Sequence, residues 1–136
     1  MRLALADMLE ALALGQGLLV APELGESHAG RTAQTIAALL LMLAEEARAM
    51  PGRRAQARQA MATLLAEAET RHPSLGPLLP PPGTCDEARH EALLHALERV
   101  HAFADEADAP LAARCRAVLH AWAQGERLAP PAPPGG

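Results

Sequence analysis

The chain has 136 residues, a formal net charge of -4 and twelve basic residues, all of them arginine, against sixteen acidic ones. Its length suits a single domain that buries roughly two-thirds of the surface of its unfolded chain, and its negative charge disfavours nucleic-acid binding driven by phosphate neutralisation. Half the residues are apolar, yet 32 alanines and 23 leucines stand against three valines, one isoleucine, one phenylalanine, one tryptophan and no tyrosine. That balance excludes a sheet core, which draws on β-branched and aromatic residues, and predicts helices throughout.

Leu5, Met8, Leu9 and Leu12 recur at the spacing of one buried helical stripe, so a first helix is expected from about Leu3 to Leu14, ended by Gly15 and Gly17. A long connection from Gly15 to Gly30 follows, with an apolar patch at Leu18, Leu19 and Val20 that must pack or serve a partner. A second helix opens at Ser27 or Gly30 and runs to Met50, its stripe formed by Ile36, Leu39, Leu40, Leu43, Ala47 and Met50, with Leu41 and Met42 outside it. On this reading, truncating Leu40 or Leu43 to alanine costs about 2–5 kcal/mol.

Pro51 fits the first turn of a third helix, folded back on the second as an antiparallel hairpin, with Ala57, Met61, Leu64, Leu65 and Ala68 facing inward. Five prolines between His72 and Gly83 predict an ordered crossover or stiff extended loop. Thr84 and Glu87 have capping-box spacing at the start of a fourth helix, whose inner face is Leu93, Leu97, Val100, Ala104 and Ala107. Pro110 opens a fifth helix lined by Leu111, Cys115, Val118, Leu119 and Trp122 and stopped by Gly125, and the Pro/Gly-rich residues 129–136 form a disordered tail. The expected architecture is an all-α compact antiparallel bundle of four main helices plus a shorter first one, in a single domain over 1–128.

Asp7 and Glu10 interrupt the apolar start and Arg2 is its one basic residue, so no signal sequence is expected. The longest apolar run, Ile36 to Ala44, is half a membrane span, so no membrane partner is expected either. Cys85 and Cys115 form no metal-like pair, which fits free thiols and a cytoplasmic location.

Glu87 with His90 and Glu98 with His101 have the Glu-x-x-His spacing found in di-metal bundles, but the two histidines lie about 16 Å apart along one helix. They cannot share a metal within one chain, and no cofactor is expected. His90, His95, His101 and Glu91 remain the candidates for a metal or a phosphoryl group. The eight residues His90 to Leu97, a histidine followed by an acidic residue on a helix, resemble the H-box of some sensor histidine kinases. That resemblance implies a phosphoacceptor role for His90 and a base role for Glu91.

Arg48, Arg53, Arg54 and Arg58 cluster where the second and third helices meet. Those in the first turn oppose the helix dipole, so a bound anion or intramolecular carboxylates are expected to offset them. Ser27 and His28 lack a nucleophile-elbow context. A Walker A loop, a dinucleotide fingerprint and a metalloprotease His-x-x-x-His are also absent, so enzymatic function has no motif behind it. The expectation is a non-enzymatic helical interaction module, self-associating as a homodimer through Leu18, Leu19, Val20, Leu41 and Met42. The alternatives are a small-anion or metal binder and a phosphotransfer module using His90.

Overall fold

The structure, a computed structural model, describes residues 3–127; the predicted tail at 129–136 lies outside them. It is all-α, as composition predicted, with no strand among the described residues. Helix α1 spans Leu5–Leu14, a π-helical turn Gly15–Val20, α2 Ala21–Leu24, α3 His28–Arg71, α4 Asp86–Ala107 and α5 Ala109–Gly125, with a 3-10 turn at Pro73–Leu75. The described residues fall into two compact units that divide after Pro51.

In the first unit the predicted break at Gly15 and Gly17 does not occur. Gly15 is right-handed helical (φ -59, ψ -47), and the chain stays helical to Leu24, where Gly25 turns out at φ +57. The buried positions explain the π turn. Ala13 and Ala21, both 2% exposed, lie eight residues apart, more than the roughly 7.2 residues of two α turns, and the wider turn absorbs the difference. The connection therefore shrinks to Gly25, Glu26 and Ser27. Ser27 closes both ends, its hydroxyl donating to the Leu24 carbonyl (2.7 Å) and accepting from the Gly30 amide (3.1 Å), the N-cap role that favours serine.

The two arms of this unit form an antiparallel hairpin. Gly17 lies opposite Ala37, and Arg48 pairs with Asp7 (3.2 Å) and with Glu10. The seam is made of alanine: Ala6, Ala13 and Ala21 on one arm and Ala33, Ala37 and Ala44 on the other are 1 to 8% exposed. This corrects the expected leucine stripes. Leu5, Met8 and Leu12, like Ile36, Leu39 and Leu43, are exposed, and Leu40 is only half-buried. Small side chains let the two backbones approach closely, which pushes the larger ones to the flanks. The cost expected for Leu43→Ala as a core truncation therefore does not apply within the chain.

A turn was also expected at Pro51, but α3 runs without interruption from His28 to Arg71 with Pro51 inside it. The predicted hairpin between a second and a third helix is thus one helix. Alanine and arginine around the proline favour helix strongly enough to carry it through.

The second unit holds the last part of α3, from Gly52, with α4 and α5. Its core matches the sequence stripes: Met61, Leu64, Leu65 and Ala68 on α3, Leu93, Leu97, Val100 and Ala104 on α4, and Leu111, Ala112 and Cys115 on α5, joined by Leu78 from the proline-rich crossover. Ala107 is exposed instead. The capping box does not form: Thr84 donates to the Pro81 carbonyl (2.6 Å), and the N-cap of α4 is Cys85, with no side-chain cap bond. Asp108 caps α5, accepting from the Leu111 amide (3.1 Å) ahead of Pro110 in the first turn, the position proline tolerates best.

Candidate functional site

Four groups of residues are candidates. The first is the arginine cluster, which the fold divides. Arg48 is held by Asp7 and Glu10 in the hairpin. In the second unit Arg53 donates to the Gly125 carbonyl (2.9 Å), Arg54 forks onto Glu126 (3.0 and 3.1 Å), and Arg58 lies 3.6 Å from Asp86. The Arg54 hydrogen bond holds the Glu126 carboxyl below its ordinary range. Carboxylates and a helix C-terminal carbonyl thus already meet these cations, and because α3 is continuous through Pro51 none of them stands in a first helical turn, so the expected conflict with a helix dipole does not arise.

The second group centres on His90, which α4 turns inward. It is 9% exposed, its ring 6.0 Å from that of Trp122 on α5. The Nδ1 of His90 and the Nε1 of Trp122 are buried without a hydrogen-bond partner among the described residues. Burial, with the charges of Arg54 and Arg58, pushes the His90 imidazole below its ordinary value. The fold therefore brings two predicted sets, Arg54/Arg58 and His90, to one end of the second unit. Trp122 was expected on the inner stripe of the fifth helix but not beside His90, and Glu126 was not singled out, because neither the ring pair nor the fork has a local spacing.

Glu91, by contrast, is exposed, and so is His95, which pairs weakly with Glu98 (3.7 Å). His101 sits beside Asp105 (3.6 Å) and Arg116 (3.5 Å). Among the described residues no three His, Cys, Asp or Glu side chains are grouped to hold a metal ion.

At the opposite end of the second unit lies the third group, also unforeseen. Asp108 accepts from His72 Nε2 (2.8 Å) and from Arg71 (3.0 Å) while capping α5, and His72 stands edge-on to Phe103 (5.1 Å). These contacts tie the end of α3 to the α4–α5 corner. An aspartate just before an Ala-Pro helix start was the legible signal. The second unit also has an open groove of about 460 Å³ lined by Gln56, Gln59, Thr63, Arg114 and apolar neighbours. No candidate histidine or clustered arginine lines it.

The fourth group is the surface of the hairpin. Among the described residues fourteen large apolar side chains are exposed, and all but Leu79 lie between Leu3 and Leu43. Leu18 and Leu19 are 69 and 71% exposed, and Val20 and Leu41 are exposed too, whereas Met42 is half-buried. By length and composition alone, Leu5–Leu24, with mean hydropathy 1.3, is long and apolar enough to cross a membrane. Ending the first helix at Gly15 hid that property in the sequence. No family model, curated protein or solved structure matches the chain.

Proposed function

We propose that the protein is a non-enzymatic assembly module that self-associates through its N-terminal hairpin. The observation that carries the reading is the contrast between the units. The second encloses its leucines in a core of its own, while the first packs alanines inside and leaves thirteen large apolar side chains exposed. Contiguous apolar patches on monomers rarely exceed a few hundred Å², and a helix apolar nearly all round is one that another element covers.

A membrane is the competing cover, and the ionisable residues speak against it. Glu10 and Glu23 bracket only the stretch 11–22, about 18 Å at 1.5 Å per residue, against about 30 Å of hydrocarbon. Residues 3–51 also carry six acidic side chains against two arginines, a balance that anionic lipid surfaces repel.

Sedimentation equilibrium tests the reading: masses above 14.3 kDa at tens of micromolar are expected, and a monomer at that concentration overturns it. Phosphotransfer through His90 draws no support from a ring this buried, and anion binding none from arginines already met by carboxylates.

A further inference from the structure

The Arg48 ion pair fixes the sidedness of the hairpin. Asp7 and Glu10 reach Arg48 across one flank. Stepping about 100° per residue from the alanine seam puts Leu5, Met8 and Leu12 on the opposite flank of α1 and Ile36, Leu39 and Leu43 on the opposite flank of α3. In an antiparallel pair those two flanks lie on the same side. These six side chains are 41 to 64% exposed. Asp7 and Glu10, the ionisable residues of Leu5–Val20, sit on the far side, and Thr32–Leu43 contains none. One side of the hairpin therefore carries the Arg48 ion pairs and the other the six large apolar side chains, with the polar Gln16 and Thr32 among them and Glu46, 9% exposed, at the margin one turn beyond Leu43.

We infer that the apolar side of the hairpin pairs face to face with the same side of a second copy, so that four helices from two chains enclose one leucine core. The inference rests on the self-association reading and moves the contact away from Leu18 and Leu41, which lie towards the Arg48 side. A second copy fits for two reasons. An isologous contact sets each patch against itself, and the acidic group at its margin, Glu46, is already 9% exposed within one chain, so pairing desolvates little further charge. The area also suffices: two helices abreast, about 20 Å, by about 24 Å from Leu5 to Val20 cover roughly 500 Å² in projection. Side-chain relief brings that towards the ~800 Å² per partner of a standard interface.

The test is light scattering on the full chain with paired variants. Leu39→Glu, at an exposed position, is expected to give monomer with the helical circular dichroism of the parent, and Leu41→Glu to leave the dimer intact. As a second measurement, Leu39→Cys in a Cys85→Ser background is expected to form an intermolecular disulfide on oxidation. A dimer that survives Leu39→Glu but dissociates with Leu41→Glu overturns the inference and leaves self-association standing. A parent chain that is monomeric overturns both, and one that is monomeric yet co-sediments with phosphatidylcholine/phosphatidylglycerol vesicles assigns the face to lipid.

Discussion

Gly30 shows how a single missing carbon shapes the hairpin. A Cβ there would stand 2.0 Å from the carbonyl oxygen of Gly25, and backbone on both sides cannot yield cheaply. Gly30→Ala is therefore expected to destabilise the chain by about 1–3 kcal/mol in spite of alanine's better helix propensity. Gly52→Ala, where nothing lies within 4 Å, is expected to stabilise it by about 0.5–1 kcal/mol. Urea unfolding of both variants reads the opposite signs. At the other end of the chain, Asp108 is held below its ordinary value of 3.8 by the His72 hydrogen bond, the Leu111 amide and the Arg71 charge. The folded protein thus binds that proton more weakly than the unfolded chain. Its contribution is fully present above pH 3.8 and is lost as pH falls through the depressed folded value. Thermal melts should show Asp108→Asn less stable than the parent at pH 7 and less sensitive to acidification below pH 4. An acid limb unchanged by the substitution would contradict this.

At the scale of elements, α3 is the longest consequence of local propensity in the molecule and Pro51 its weakest link. Proline lacks the N–H that would reach the Ala47 carbonyl, and its ring crowds that turn. Alanines and arginines on either side still prefer helix to coil, which outweighs proline as a stop. Pro51→Ala restores the hydrogen bond and is expected to raise stability by up to about 3 kcal/mol. Amide hydrogen exchange in residues 47–52 should slow accordingly, and an unchanged exchange pattern would count against a strained turn there. The glycines of the π turn do not act as a stop either. Gly17 faces Ala37 across the seam, so its small size serves close packing, not helix termination.

For the whole molecule, an alanine seam removes little apolar surface from water, and the hairpin's stability then depends on what covers its leucines. If a second copy does so, unfolding is coupled to dissociation, and the thermal midpoint must rise with protein concentration. Calorimetry over a hundredfold concentration range should show that rise in the parent and not in Leu39→Glu. A midpoint independent of concentration in both would deny the coupling.

Composition alone settled the helical class, because alanine and leucine without β-branched or aromatic partners cannot surface a sheet. Periodicity located most of the second unit's core, since Met61, Leu97 and Leu111 follow the rule that the large apolar stripe turns inward, while Ala107 is exposed and Leu78, Ala96 and Ala112 join the core from outside the expected stripes. The same rule failed in the hairpin, where two stripes compete on each helix. The sequence shows both the leucines and the alanines but not which set meets the other helix. Tertiary structure decided that: a close approach at Gly17 and Ala37 admits only small residues. The Arg54–Glu126 fork, the His90–Trp122 pair and the His72 and Arg71 contacts of Asp108 were likewise invisible, because their members are brought together across the fold and share no local spacing; only the capping role of Asp108 was legible.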